Sequence, residues 1–181
     1  MKSFLSSWQA VAIASLSLLL TFGSTSFAQA PNPPPPLTPS PITLAEARVI
    51  IDGAIAFARD ANLRMSVIVL DQAANAVSSD RMDGAGVQNA LFAEGKAYAS
   101  AIFRQTTQAL GEIAKTRPDR YFGIMNMYPG KVYLVGGGVP LTLEGQFFGA
   151  VGVAGLPEGV DEKAGLAGIA AWTKFRDTMK K

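Results

Sequence analysis

The 181-residue sequence contains no cysteine and no histidine. Without cysteine the chain has no disulfide framework, although exported proteins often carry one. Without histidine it lacks the commonest general base and the commonest metal ligand. These absences exclude Ser-His-Asp and Cys-His catalysis, and they also exclude zinc or haem iron held by histidine.

Charged residues are scarce as well, at 17% of the chain, whereas hydrophobic residues make up 49%, enough for the core of one ordinary domain. The net charge is +2, and it falls to +1 if the segment containing Lys2 is removed. This charge is too small for a nucleic-acid-binding protein, and no basic cluster occurs.

The first 42 residues are predicted to lie outside the folded domain. Residues 1–28 combine Lys2, a short apolar run at residues 10–20 and small residues before Gln29, a pattern typical of a secretory signal peptide. The run is too short to span a bilayer, so we expect a periplasmic or secreted protein with no membrane span in the mature chain. Residues 29–42 hold seven of the eleven prolines and are predicted to form an extended tether.

Residues 43–175 are predicted to form one domain, followed by a polar tail at 176–181. Thr43 and Glu46 form a capping box that opens a helix. Helices are also expected at 87–103, 107–115 and 161–175, and strands at 65–71, 76–80, 131–135, 141–143 and 146–154. Tight turns join consecutive strands, which predicts an α+β domain with a mostly antiparallel five-stranded sheet and helices on its faces. Residues 119–130 are expected to be irregular.

Two of the strands are unusually rich in glycine, at Gly136-Gly137-Gly138 and at residues 149, 152 and 155. Glycine inside a strand marks a bulge, or a place where a ligand or another backbone approaches closely. On the ligand interpretation, this surface offers a flat apolar slot for a planar molecule, beside Lys96 and Met82. On the alternative interpretation, the glycines serve bulges and tight contacts between helix and sheet.

Other candidate binding residues lie close to these elements in the expected fold. Arg81 and Met82 interrupt the second strand without an evident structural role, and Lys96 stands between two phenylalanines on one helix stripe, either as a surface residue or as part of a site. The full candidate set is Arg81, Met82, Lys96, Phe103, Arg104, Gly136, Gly137 and Gly138. No residue is assigned a catalytic role, and the metal ligand is left open.

Several segments together resemble the GlcG/HbpS-like family, a haem-binding or haem-degrading family related to the C-terminal domain of some corrinoid adenosyltransferases. The segments are Thr43-Leu44-x-x-Ala47, Val69-x-Asp71, Arg81-Met82-Asp83-Gly84-Ala85, Lys96-Ala97-Tyr98, Gly136-Gly137-Gly138-Val139-Pro140 and residues 149–155. The resemblance covers residues 41–175 and implies a profilin-like domain that assembles into homo-oligomers. It also implies haem or another flat tetrapyrrole as ligand. Ala99 stands where the family pattern has threonine.

The leading hypothesis is therefore an exported haem-binding protein that functions in haem or iron sensing or handling. The haem propionates would pair with Arg81, Lys96 or Arg104. The candidate iron ligands are Met82, Met125, Met127, Tyr98, Tyr121, Tyr128 and Lys96. One alternative is an oligomeric accessory protein without ligand chemistry. Another is an enzyme acting on haem or a small organic acid, for which the candidates are Asp71, Asp83, Glu144 and Lys96.

Overall fold

The structure is a computed structural model that describes residues 42–157 and 159–180. The predicted signal peptide and all but the last residue of the predicted tether lie outside the described residues. Ile42, which ends the predicted tether, is 1% exposed and belongs to the hydrophobic core. The core therefore reaches to the edge of the proline-rich segment.

The predicted capping box forms at the start of the first helix, α1 (Leu44–Asp60). The Thr43 hydroxyl accepts a hydrogen bond from the Glu46 N–H at 3.2 Å, and the Glu46 carboxylate accepts one from the Thr43 N–H at 2.8 Å. Two otherwise unpaired backbone donors are thereby satisfied. This helix packs on the last helix, α5 (Val160–Met179), so closely that a Cβ on Gly168 would collide with the Ile50 carbonyl oxygen.

Four strands form one antiparallel sheet in the order β2-β1-β4-β3. They are β1 (Ser66–Asp71), β2 (Ala76–Arg81), β3 (Gly138–Leu143) and β4 (Gln146–Ala154). The hairpins β1–β2 and β3–β4 form as predicted. The second hairpin turns at Glu144 and Gly145, whose φ angles of 51° and 80° suit a two-residue loop. The predicted α+β class with an antiparallel sheet is confirmed.

Different helices cover the two faces of the sheet. The remaining helices are α2 (Asn89–Phe103), α3 (Thr107–Thr116) and α4 (Pro118–Met127). α1 and α5 cover the face that carries Val67 and Val69. α2 covers the opposite face, where Ile68 and Leu70 meet its alanines. The small side chains on α2 allow this helix to lie very close to the sheet.

The sheet has four strands instead of the predicted five, because residues 131–135 do not form a strand. The Tyr133 N–H instead donates a hydrogen bond to the Gly95 carbonyl oxygen of α2 at 3.1 Å. Val132 and Leu134 are buried in a separate cluster with residues of α2 and α3. The apolar alternation that predicted a strand is thus satisfied by packing against helices.

Most of the segment predicted to be irregular, residues 119–130, belongs to α4. Pro118 occupies the first helical turn, where its restricted φ angle is already helical and its missing N–H is not needed. Asp119 follows in the same turn, where a negative charge interacts favourably with the helix dipole. The half-buried α4 residues Tyr121, Ile124 and Met125 recur at helical spacing, but exposed apolar residues of the same helix obscure this pattern in the sequence.

α5 continues to Met179, four residues past its predicted end, and so includes much of the predicted polar tail. Its extra turn carries Arg176, whose Nε donates a hydrogen bond to the Glu46 carboxylate, and Trp172 Nε1 donates to the same group at 3.2 Å. Burial opposes ionisation of Glu46, but the hydrogen bonds from Arg176, Thr43 and Trp172 outweigh it and lower its pKa to about 2.

Candidate functional site

An open cleft of about 660 Å³ lies beside the outer strand β2. We call it the arginine cleft, because three arginines contribute to its walls. It is lined by Ile55, Arg59, Asn62, Arg64, Ser79, Asp80, Arg81, Met82 and Asp83. The structure thus brings together two of the predicted site residues, Arg81 and Met82, with two arginines that lie earlier in the chain.

A tight turn after α1 places two of these arginines on the cleft. The Leu63 N–H donates to the Ala58 carbonyl oxygen at 2.8 Å, and Asn62 adopts a positive φ of 53°. Asparagine tolerates this left-handed conformation better than most residues, and it is frequent at helix ends. The chain therefore reverses between Arg59 and Arg64, and both side chains reach the same cleft.

The remaining wall of the cleft comes from the end of β2. The Met82 N–H donates to the Met65 carbonyl oxygen at 3.0 Å, which extends the β1–β2 pairing by one residue. A turn follows, in which the Ala85 N–H donates to the Met82 carbonyl oxygen. The Arg81 side chain bends over this turn and donates to the Ala85 carbonyl oxygen at 2.8 Å. Arg81 and Met82 therefore hold their positions through the turn that ends the strand.

The charges in the cleft leave its guanidinium groups available to an anion. Arg81 donates to a backbone carbonyl, and so does Arg64, to Leu63 O at 2.9 Å; neither forms a carboxylate pair within the described residues. The Asp80 carboxylate is instead paired with Arg48 at 2.7 Å. Because Arg48 already neutralises Asp80, the cleft favours negatively charged ligand groups.

The flat slot predicted along the glycine-rich strands is filled by the protein itself. A Cβ on Gly138 would collide with the Lys96 carbonyl oxygen, and one on Gly152 would collide with the Ala93 carbonyl oxygen. Gly138 also donates its N–H to the Thr107 hydroxyl at 2.8 Å. These glycines allow α2 to approach the sheet, so the prediction of an open slot there is wrong, and the alternative interpretation of tight helix–sheet contact is confirmed.

Lys96 lies beneath this glycine segment and is only 3% exposed. Its Nζ is 2.6 Å from an Asp161 carboxylate oxygen, and the other oxygen accepts a hydrogen bond from the Leu156 N–H at 2.9 Å. Burial raises the pKa of Asp161, although the Lys96 ammonium acts in the opposite direction. The pair joins α2 to the start of α5, and Gly137 lies against it.

Phe103 and Arg104 lie at the C-terminal end of α2 and form a third, separate location. Phe103 packs edge-on against Tyr128 with ring centroids 6.4 Å apart. Arg104 ends the helix in a left-handed conformation, and its guanidinium lies 4.9 Å from the Phe147 ring centroid. The eight predicted site residues therefore occupy three places, and one of these is the arginine cleft.

Most of the candidate enzymatic carboxylates are also distant from the cleft. Asp71 accepts hydrogen bonds from the β1–β2 turn, and Glu144 pairs with Lys180 at 2.7 Å. Only Asp83 lines the cleft. Across residues 42–157 and 159–180, no group of three His, Cys, Asp or Glu side chains could hold a metal ion. No helix in the same ranges is long and apolar enough to cross a membrane.

Sequence reasoning missed Ile55, Arg59 and Arg64 as parts of the site. The one sequence signal for Arg59 and Arg64 is a pair of arginines on either side of a helix end, which occurs on many surfaces, and Ile55 gave no signal of its own. Their proximity to Arg81 depends on the turn at Asn62 and on the pairing of β1 with β2.

The sequence and the fold both match known proteins. Residues 42–170 match the family described as "Haem degrading protein HbpS-like". An uncharacterized 15.0 kDa protein from the dhaT-dhaS intergenic region of Citrobacter freundii is 32% identical over 114 residues, which are 63% of this chain and 80% of that protein.

Among solved structures, a double mutant of Streptomyces reticuli HbpS is 32% identical, with a TM-score of 0.65 over 74% of this chain and 89% of that one. A complex of PduOC with heme shares the fold at 22% identity, with a TM-score of 0.66 over 72% of this chain and 94% of that one. The segments that suggested the family are thus supported by a match over most of the described domain. This chain belongs to the HbpS-like family.

Proposed function

We propose that this chain binds haem, and that it does so in the arginine cleft. The observation that carries the proposal is a cleft of about 660 Å³, with three guanidinium groups and a thioether, on a member of a family described as haem-degrading. Small-molecule pockets commonly have volumes of about 300–1,000 Å³. The proposal moves the ligand away from the glycine-rich strands, which α2 covers.

The residues of the cleft fit the two chemical parts of haem. Haem has carboxylates at one edge and a flat apolar ring. Arg59, Arg64 and Arg81 supply planar guanidinium groups, which pair with carboxylates through two parallel hydrogen bonds. Met82 supplies apolar atoms for contact with the ring, and Ile55, which is 8% exposed, adds a small apolar area. These five side chains are the ones that would hold haem.

Of the side chains considered as iron ligands, only Met82 lines the cleft. Methionine occurs as an axial haem ligand in other proteins. Tyr98 and Tyr128 pack against one another instead, with ring centroids 6.1 Å apart, and Lys96 is paired with Asp161. Haem, when bound, would supply the one-electron and oxygen chemistry of its iron.

The test is a titration of the purified protein with haem, followed by absorbance in the Soret region. We expect a shifted Soret band that saturates at micromolar haem. The triple substitution Arg59→Gln, Arg64→Gln and Arg81→Gln should weaken binding at least tenfold, because each charged hydrogen bond contributes about 1.5–3 kcal/mol. Arg117→Gln is the matched control, since Arg117 is an exposed arginine paired with Asp119 on another part of the surface. An unchanged spectrum at tens of micromolar haem would refute the proposal.

Export to the periplasm or the cell exterior is a second part of the proposal. It is supported by the sequence of residues 1–28, with one positive charge, a short apolar run and small residues before Gln29. The expected result is a mature protein in the periplasmic or secreted fraction whose mass corresponds to a chain starting at Gln29. A full-length chain confined to the cytoplasm would contradict it.

A homo-oligomer is also proposed, and exposed apolar side chains support it. Val87 lies just before α2 and is 82% exposed, and Leu91 lies in the first turn of α2 and is 60% exposed. On α4, Phe122 is 64% exposed and Met127 is 74% exposed. Side chains of this kind in groups often mark contacts between subunits. Multi-angle light scattering should give a mass that is a multiple of the chain mass, and a monomer at all concentrations would count against it.

A further inference from the structure

We infer that the arginine cleft recognises a tetrapyrrole through its carboxylates and not through its metal, so that metal-free porphyrins bind as tightly as haem. This inference rests on the proposed function and names the ligand class more narrowly. The class is a flat tetrapyrrole with free carboxylates, with or without a central metal ion.

The arginine cleft offers several cationic groups to a ligand. Arg59, Arg64 and Arg81 all line one cleft, and no described carboxylate is paired with any of them. Arg81 and Arg64 each donate to a single backbone carbonyl oxygen, and a guanidinium carries five N–H donors. Most of these donors therefore remain available to a ligand.

The charges around these donors are mainly positive. Asp80 also lines the cleft, but its carboxylate is paired with the Arg48 guanidinium at 2.7 Å. Arg48 itself does not line the cleft. Asp83 is the other acidic residue of the lining, and it is exposed. Three guanidinium groups against one unpaired carboxylate give a positive field that favours a dianionic ligand.

The cleft offers only weak ligands to a metal ion. The chain has no histidine or cysteine, and within the described residues no three acidic side chains converge. Met82 is the one side chain of the lining that occurs as an axial haem ligand. A neutral thioether is a weak donor compared with the imidazole or thiolate found in tight haem proteins. The binding free energy must therefore come from carboxylate pairing and ring contact.

The experiment compares three ligands on the same purified protein: haem, protoporphyrin IX and protoporphyrin IX dimethyl ester, in which both carboxylates are masked. Isothermal titration measures all three dissociation constants, and tryptophan fluorescence quenching provides a second readout. We expect haem and protoporphyrin IX to agree within threefold, and the dimethyl ester to bind at least thirtyfold more weakly.

The arginine substitutions provide the internal check. Replacing Arg59, Arg64 and Arg81 with Gln should weaken protoporphyrin IX binding at least tenfold and leave the residual binding of the ester within twofold. Arg117→Gln should change neither. The inference is overturned if protoporphyrin IX binds at least tenfold more weakly than haem, or if the ester binds as tightly as the free acid. If none of the three ligands binds, the proposed function itself fails, and this outcome is distinct from either of the other two.

Discussion

The glycine-rich surface of the sheet and the arginine cleft differ in what occupies them. At Gly138 and Gly152 the backbone of α2 fills the space that side chains would otherwise take. In the arginine cleft the side chains stand apart and leave about 660 Å³ open. The sequence marks the first region far more strongly than the second. Missing side chains show that something approaches closely, and here it is the protein's own helix.

If the glycine-rich surface has a structural role, the buried ion pair between Lys96 and Asp161 beside it should contribute strongly to stability. Replacing Lys96 with Met leaves the Asp161 carboxylate buried without its cation, which we expect to lower the free energy of unfolding by about 3–5 kcal/mol. Urea denaturation followed by circular dichroism measures this loss.

The double variant Lys96→Met with Asp161→Asn is the control for that experiment, because it removes the uncompensated charge. It should recover a large part of the lost stability. If the single Lys96→Met variant is as stable as the wild type, Lys96 has no structural role and is again a candidate binding residue.

The pair on the opposite side of the sheet, between Glu46 and Arg176, should respond to acid. Because the pKa of Glu46 is lowered from 4.5 to about 2, its contribution is complete above about pH 4.5 and is lost as the pH falls towards 2. The shift corresponds to about 3 kcal/mol. Glu46→Gln should therefore be less stable near pH 6 and lose less stability than the wild type on acidification.

The matched substitution for the acid experiment is Glu144→Gln. Lys180 lowers the pKa of Glu144, but both side chains are exposed, so solvent screens their interaction. Urea midpoints measured at pH 6, 4 and 3 should separate the two variants. Parallel acid profiles for Glu46→Gln and the wild type would contradict the assignment.

The glycine-rich surface should also be sensitive to the addition of a single methyl group. Gly152→Ala places a methyl group against the Ala93 carbonyl oxygen, so α2 has to move away from the sheet, at a cost of about 2 kcal/mol. Gly123→Ala on α4 is the control, since nothing lies within 4 Å of its added Cβ, and it should stabilise the protein by about 0.5–1 kcal/mol. Equal stabilities for the two variants would contradict the close packing.

The smallest expected change in stability belongs to the cleft. Arg59, Arg64 and Arg81 are exposed, so their joint replacement by Gln should change the free energy of unfolding by less than about 0.5 kcal/mol. The same urea experiment checks this. The comparison breaks down if these substitutions destabilise the protein as much as Gly152→Ala does.

Much of the fold could be predicted because its signals are local. The capping box at Thr43 and Glu46 marks the start of α1. A continuous apolar run predicts β1, the turn residues after it predict β2, and small residues at helical spacing predict α2. The segment 131–135 has the alternation of a strand, but its partner is a helix, and a local pattern does not specify the partner. In α4 the inward face is only half-buried and exposed apolar residues lie beside it, so the helical period is obscured.

The site was less predictable, since its parts come from distant positions. Arg81 and Met82 could be predicted as binding residues because they interrupt a strand, and both line the cleft. Arg59 and Arg64 join them only after the chain reverses at Asn62 and β1 pairs with β2. Lys96 could be recognised because it stands between two phenylalanines on one helix stripe. Its partner Asp161 could not, because it lies 65 residues away in the sequence.

The contact of α1 with α5 has a consequence for the timing of folding. Glu46 receives the Trp172 indole N–H across 126 residues, and Arg176 lies further still along the chain. Contacts of such long range form late, because the intervening chain must first be ordered. The first helix therefore lacks its main helical partner while the ribosome is still translating the rest of the chain, and the domain reaches its native state only after the C-terminal residues emerge.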